Sequence, residues 1–211
     1  MSLNELQEAI KTCEQNKEYQ KMLTLRAQIA RDYPGTQEAA EALYRIGLYF
    51  LFIEQRFDAA KQTFEQVLTI ADNVWVHAAR VSFATLLLRE DKPQKALLEL
   101  RKVTQSAPSV HTISAFSVME LIYEQHKQAG EIQGIKEQKI KHYQIMIQDL
   151  KQHQPVQDPA LLAYYLVHCG FEQQALLLYQ DAHACFKEVL ALGESKVPAD
   201  LYKQAQKALL A

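Results

Sequence analysis

An internal repeat constrains this chain of 211 residues more than any other feature of its sequence. Between Ala42 and Leu68, Gly47 lies inside a helical run of tyrosine, phenylalanine and leucine, and Ala60 follows it 13 residues later. The pair of small residues recurs twice at a spacing of 12, as Ala84 with Ala96 and as Gly170 with Ala182. Because a period of about 34 to 36 residues corresponds to one helix–turn–helix unit, the sequence predicts a series of helical hairpins.

The small residues are accompanied by large apolar ones on the same helix face. Phe64 and Val67 follow Ala60 by four and seven residues, which places all three on one side of a helix. Gly47 costs about 1 kcal/mol of helix propensity relative to alanine. We expect close packing of Gly47 against the face that carries Ala60 to offset this cost.

The repeated pattern resembles the tetratricopeptide repeat (TPR). Its first copy comprises Leu43, Ile46, Gly47, Phe50, Phe57, Ala60, Phe64 and Val67. The second comprises Phe83, Ala84, Leu87, Ala96, Leu100, Val103 and Pro108, and the third comprises Cys169, Gly170, Tyr179, Ala182, Phe186 and Val189. The tryptophan usual in the family is absent, because Leu43 and Arg80 occupy its place.

The resemblance implies an all-α fold, a TPR-like superhelix (α-solenoid) of about five helical hairpins with a C-terminal capping helix, in one domain over residues 1–211. We place the clear repeats at about 37–72, 74–108 and 163–194. Degenerate hairpins are expected at about 2–34 and 110–152, the latter with a break near Gly130, and the capping helix at about 198–210. Its outer face would carry Lys203, Gln204, Gln206 and Lys207.

Cap residues mark several helix ends in the sequence. Thr36 and Asp158 are expected N-caps, and Pro93 and Pro159 are expected at first helical positions. Gly193 is expected to end a helix, and residues 151–160 are expected to form a loop. Ala96 and Ala182 are 86 residues apart, so roughly 16 to 18 residues beyond two standard units must lengthen helices or loops between them.

The last repeat has two frames. In the first, its turn lies in the "LLLY" segment, residues 176–179, which has no turn-forming residue. In the second, the turn lies at Cys169-Gly170 and leaves one long helix from Phe171 to about Leu192. We favour the first frame, because six positions of the repeat match it.

Charge and hydropathy argue against binding to nucleic acid and insertion into a membrane, and the cysteine content indicates the compartment. The formal net charge is −2 and the pI about 6.4, which argues against nucleic-acid binding. The longest apolar run, Gly47–Ile53, is too short for membrane insertion, and the N-terminus lacks the pattern of a signal peptide. The three cysteines favour reduced thiols in the cytoplasm, with the periplasm as the alternative if a leader has been removed.

Motifs for chemistry are not found in the sequence. It contains no P-loop, nucleophile elbow, dinucleotide-binding glycine fingerprint or zincin motif. The pairs nearest to a metal site are His168 with Cys169 and His183 with Cys185, and neither has metal-ligand spacing. We therefore predict buried thiols, no metal, no cofactor and no catalytic residue, and hence a protein that is not an enzyme.

The family's geometry implies a concave groove lined by the first helix of each repeat. The groove residues would be Tyr44, Arg45, Leu48, Leu51, Phe52, Val81, Ser82, Thr85, Leu88, Arg89, Tyr164, His168 and Phe171. They are mainly apolar and aromatic, with two arginines. Burial of individual members against neighbouring helices is the alternative interpretation.

Some family members bind a C-terminal carboxylate through a Lys/Asn/Arg clamp. Arg45 stands at one clamp position, but Leu48, Ser82 and Thr85 occupy the rows of the other clamp residues. We therefore expect a protein or peptide partner with an apolar segment, extended or helical, and an adaptor or scaffold function. The alternative is a self-associating structural subunit of a bacterial envelope or secretion assembly, because "YPGTQEAAEALYRIG" resembles repeat junctions of envelope-assembly lipoproteins and of the Tol–Pal coordinator.

Overall fold

A computed structural model describes residues 1–152 and 156–210, and over these residues the chain forms eleven α-helices and no strand. The helices are α1 Leu3–Gln15, α2 Tyr19–Asp32, α3 Gln37–Phe52, α4 Phe57–Val67, α5 Val74–Arg89, α6 Pro93–Thr104, α7 Val110–Gln125, α8 Ala129–Lys151, α9 Pro159–Ala175, α10 Tyr179–Leu192 and α11 Ala199–Leu209. The first ten form five hairpins, called hairpins 1 to 5 in chain order, and α11 follows them. The expected all-α fold of about five hairpins and a terminal helix is confirmed.

The chain divides into two compact units, residues 1–103 and residues 104–211. In the first unit, α2 packs against α3 and α4 packs against α5. In the second unit, α8 packs against α9, and α11 contacts both α9 and α10. The single domain expected over residues 1–211 stays a prediction.

The expected caps are present at the helix ends. The Thr36 hydroxyl accepts a hydrogen bond from the Ala39 N–H at 3.2 Å, and the Asp158 carboxylate accepts one from Leu161 at 2.8 Å. Pro93 and Pro159 are the first residues of α6 and α9, and Gly193 follows α10 with a φ of 92°. The sequence predicts these caps because a cap depends on residues that are only three or four positions apart.

The two long helices expected over 110–152 are present, and the break between them lies two residues before Gly130. The chain turns at residues 126–128, and Gly130 is the second residue of α8. The turn falls there because Lys127 adopts a left-handed conformation, with a φ of 54°. α8 has 23 residues, which accounts for much of the extra length in this region. The expected loop at 151–160 includes residues 153–155, which lie outside the described residues.

All five hairpin turns share one main-chain conformation. Each contains a non-glycine residue with positive φ: Lys17, Gln55, Asp91, Lys127 and Leu177. In hairpin 5, the Leu177 N–H donates to the Gln174 carbonyl and the Leu178 N–H to the Gln173 carbonyl, both at 2.9 Å. This pair of bonds is a Schellman motif, which satisfies the last carbonyls of α9. The turn of the last repeat therefore lies in the "LLLY" segment, as the favoured frame predicts.

Close helix packing within hairpins depends on glycine at two positions. A Cβ atom on Gly47 would lie 2.5 Å from a ring carbon of Phe64, and one on Gly170 would lie 2.7 Å from the ring of Phe186. Both rings are fully buried. The residue that packs on Gly47 is thus Phe64, which lies on the expected helix face, the one that carries Ala60.

We expect Gly47→Ala to lower the free energy of unfolding by about 1 to 2 kcal/mol, because the steric conflict with the Phe64 ring outweighs the gain in helix propensity. Adding Phe64→Leu should recover part of the loss, since the smaller side chain leaves room for the new methyl group. Urea denaturation followed by circular dichroism measures both effects.

Gly134→Ala in α8 is the matched control, because no atom lies within 4 Å of the added Cβ. It should stabilise the protein by about 1 kcal/mol. Equal stabilisation by Gly47→Ala and Gly134→Ala would show that the Gly47–Phe64 approach is not close.

Candidate functional site

An open apolar cavity of about 490 Å³ lies between α2 and α3 in the first unit. Tyr19, Phe52 and Ile53 are its most exposed large residues, at 52%, 69% and 68% of their possible surface. We call this site the α2–α3 surface, and it is lined by Glu14, Tyr19, Met22, Arg26, Arg45, Leu48, Tyr49, Phe52 and Ile53. A cluster of exposed large apolar side chains is typical of a surface that binds another protein.

Two arginines border the apolar part of the α2–α3 surface. Arg26 donates to the Glu14 carboxylate at 2.5 Å, and Arg45 donates to Glu41 at 2.9 Å. Burial lowers the pKa of Arg26, and nearby Arg45 acts in the same direction, while Glu14 opposes them. An adjacent cavity of about 410 Å³ shares Glu14, Arg26 and Arg45, so a charged pocket adjoins the apolar one.

Three of the predicted groove residues, Arg45, Leu48 and Phe52, come together at the α2–α3 surface. Tyr44 packs inward instead, with its ring 5.9 Å from that of Phe64 and 5.8 Å from that of Trp75. Leu51 is partly buried against the same core.

The predicted groove residues of α5 lie elsewhere in the first unit. The Arg89 guanidinium stacks over the Phe57 ring, 3.7 Å from its centroid. Val81, Ser82 and Leu88 are half-buried, and Thr85 is exposed with its hydroxyl donating to the Val81 carbonyl. None of these five residues lines the α2–α3 surface. Their place in a common groove stays a prediction.

In the second unit, the three predicted residues lie along α9. The ring centroids of Tyr164 and His168 are 4.3 Å apart, and His168 stacks on Tyr143 of α8 at 6.4 Å. Burial lowers the pKa of His168, with Glu172 opposing that change and Lys139 adding to it. Phe171 is exposed on one side and packs on Phe186 at 5.3 Å.

A second surface was missed by the sequence analysis. A cavity of about 620 Å³ lies between α8 and the turn of hairpin 5, and Leu177 and Leu178 of its lining are exposed. We call it the α8–α10 surface, because it lies between α8 and the turn that leads into α10. It is lined by Gln133, Glu137, Ile140, Lys141, Gln144, Ala175, Leu176, Leu177 and Leu178. The signal was the "LLLY" run itself, since apolar residues in a turn cannot all be buried.

A half-buried ion network joins α7, α8 and α9. Glu120 forms ion pairs with Lys136 and with Lys139, and both lysines also pair with Glu172. Glu120 lies seven residues before Lys127 and Lys136 nine after it, the offsets that Gly170 and Phe186 have from Leu177. An ion pair thus stands in hairpin 4 where hairpin 5 has its glycine–phenylalanine contact, and this explains the poor match of this region to the repeat.

We expect Glu120→Gln to lower the free energy of unfolding by about 3 kcal/mol, because it leaves Lys136 and Lys139 with one carboxylate. Glu8→Gln, which removes one partner of the exposed Lys11–Glu8 pair, is the control and should change stability by less than about 1 kcal/mol. Chemical denaturation of both variants checks this.

The pH dependence of stability provides a second measurement on Glu120→Gln. Burial favours the neutral form of Glu120, but hydrogen bonds from Lys136 and Lys139 outweigh it and lower the pKa below 4.5. The network's contribution is therefore complete above pH 4.5 and lost as the pH falls further. Denaturation midpoints of wild type and Glu120→Gln should converge in acid, and a constant difference would contradict this role.

Over residues 1–152 and 156–210, no three His, Cys, Asp or Glu side chains cluster in a way that would hold a metal ion. In the same part of the chain, every helix is too short or too polar to span a bilayer.

Comparison with known proteins identifies the fold. No protein-family model matches this sequence, and no curated protein sequence matches it significantly. Among solved structures, BtubC from P. vanneervenii is similar at 16% identity and a TM-score of 0.57, over 92% of this chain and 80% of that one. A point variant of a Podosopora anserina protein, described as a kinesin light chain with nearly identical TPR-like repeats, is similar at 15% identity and a TM-score of 0.52, over 92% and 95%.

A double mutant of MamA from RS-1 is similar at 18% identity and a TM-score of 0.50, over 91% of this chain and 94% of that one. The chain therefore has a TPR-like fold, and the resemblance inferred from the repeated small residues is confirmed at the level of the fold. At these identities, the comparisons establish the fold alone.

Proposed function

We propose that this protein is a non-catalytic scaffold or adaptor that binds a peptide or a helix of a partner protein at the α2–α3 surface. The observation that carries the proposal is the exposure of Tyr19, Phe52 and Ile53 around an open cavity. Its volume, about 490 Å³, is within the usual range for pockets that accept ligand groups. TPR-like folds in general serve protein–protein interaction, which is consistent with this proposal.

The partner would place an apolar anchor, such as leucine or phenylalanine, against Phe52 and Leu48. Arg45 would fix the register of the partner on this surface. The Arg45 side chain is 43% exposed, so it can pair with a partner carboxylate while it remains near Glu41. Arg26 is held by Glu14 and is almost fully buried, so it shapes the pocket wall. Arg89, the other arginine predicted for the groove, packs on Phe57 and has no part in this mechanism.

The proposal requires no cofactor, and the expected partner is a protein or peptide rather than nucleic acid or a membrane. We propose the cytoplasm as the location, since the three cysteines are all unpaired. A periplasmic location remains the alternative.

The test is capture of partners from the source cell on immobilised wild-type protein, with quantitative mass spectrometry. Phe52→Glu should reduce retention of the bound partner about tenfold or more, because burial of a large apolar side chain contributes about 1.5 to 3 kcal/mol. Arg45→Glu should reduce it as well if the partner presents a carboxylate.

Leu98→Glu is the matched control, because Leu98 is 58% exposed on α6 and lies outside the α2–α3 surface. It should leave capture unchanged. Circular dichroism of each variant verifies folding. Equal retention by Phe52→Glu and Leu98→Glu would refute binding at this surface.

The second candidate function is a self-associating structural subunit, for example in a bacterial envelope or secretion assembly. The exposed Leu177 and Leu178 of the α8–α10 surface favour it, because like surfaces of two copies would cover each other. Light scattering distinguishes the two candidates: a homodimer that Leu178→Glu separates supports self-association, and a monomer that retains a partner supports the adaptor.

A further inference from the structure

Two cysteines flank a close approach of α9 and α10. Gly170 and Phe186 make this approach, and a Cβ on Gly170 would lie 2.7 Å from the Phe186 ring. Cys169 directly precedes the glycine, and Cys185 directly precedes the phenylalanine. The cysteines are therefore neighbours of the two residues that bring the helix backbones together.

The Cys185 side chain points at the face of α9 that carries Cys169. Its Sγ donates to the Gln173 Oε1 at 3.4 Å, and Gln173 lies one helical turn after Cys169. Each thiol also shifts the pKa of the other, raising that of Cys169 and lowering that of Cys185. Hairpin 2 has Ile46 and Thr63 immediately before its own Gly47 and Phe64, so the paired thiols are particular to hairpin 5.

The two thiols have different reactivity. Cys169 is fully buried, whereas Cys185 is partly exposed, so an oxidant reaches Cys185 first. The neighbouring Cys169 thiol lowers the pKa of Cys185; Lys151 acts in the same direction, and burial, Glu188 and Asp181 oppose it. A partly exposed thiol with a lowered pKa, next to a second thiol, is the arrangement found at redox-sensitive cysteines.

We propose that Cys169 and Cys185 are a reversible thiol–disulfide pair that links α9 to α10 when the protein meets a peroxide. The Cys185 thiolate attacks one oxygen of hydrogen peroxide, the O–O bond breaks, and hydroxide leaves to become water on protonation. The product is a sulfenic acid on Cys185. The Cys169 sulfur then attacks the Cys185 sulfur, forms the S–S bond and loses its proton, while the sulfenic oxygen leaves as a second water.

The reaction balances with the oxidant named. Two thiols and one hydrogen peroxide give one disulfide and two waters, and the two electrons lost by the sulfurs reduce the peroxide. The disulfide closes a loop that contains the turn of hairpin 5, so it restricts the unfolded chain and raises the stability of the second unit. A dithiol reductant reverses the step.

The experiment exposes the reduced full-length protein to excess hydrogen peroxide, quenches it, and alkylates the remaining thiols under denaturing conditions. The free thiols should fall from three to one per chain. Peptide mapping should find one crosslinked peptide that joins Cys169 and Cys185, and dithiothreitol should restore all three thiols. The melting temperature of the oxidised protein should exceed that of the reduced protein.

Cys13→Ser is the control variant, because Cys13 lies in α1 and hydrogen-bonds Glu18 instead of another thiol. It should still form the crosslink and retain no free thiol, whereas Cys185→Ser should retain both of its thiols. A wild-type map without the crosslink, with Cys185 oxidised beyond sulfenic acid or joined only to another chain, would overturn the proposal. The wild-type map decides even if a serine variant does not fold.

Discussion

The approach of two helices at a glycine–phenylalanine contact is the constraint on which hairpins 2 and 5 depend. Gly47 and Gly170 have no Cβ, and the Phe64 and Phe186 rings occupy the space that a methyl group would fill. The short distance between the helices then buries Ala60 and Ala182 completely on the facing helix. Each hairpin of a repeat protein contacts mainly its neighbours. A local contact of this kind therefore sets the packing of the hairpin that contains it.

The turns follow a different rule, which concerns the main chain instead of the side chains. Over residues 1–152 and 156–210, five residues other than glycine adopt the left-handed conformation at about 1 to 2 kcal/mol each, and hydrogen bonds to the preceding helix hold them there. The side chain at this position is free to vary, since it points away from the bonds that make the turn. This freedom allows an exposed leucine, Leu177, at the tip of hairpin 5.

Both candidate interaction surfaces include such a hairpin end. Phe52 and Ile53 precede Gln55 in the turn of hairpin 2, and Leu177 and Leu178 form the turn of hairpin 5. Apolar residues there contribute little to a hairpin's own core, so their presence needs another explanation, and binding to a partner supplies one. Charged residues that line these surfaces have partners within the protein: Arg26 pairs with Glu14, Arg45 with Glu41, and Glu137 accepts a hydrogen bond from Gln133.

The sequence by itself determined the helical hairpins, their order, the caps at Thr36 and Asp158 and the frame of the last repeat, because periodicity and capping act over a few residues of chain. Tertiary structure decided which side chains of each helix face solvent. Tyr44 and Phe52 were both predicted for the groove, yet Tyr44 packs on Phe64 and Trp75 while Phe52 is exposed. The tertiary structure also decided that Glu120 and Lys136 pair where hairpin 5 has Gly170 and Phe186. Exposure and ion pairing depend on residues from separate helices, whose distances no local spacing specifies.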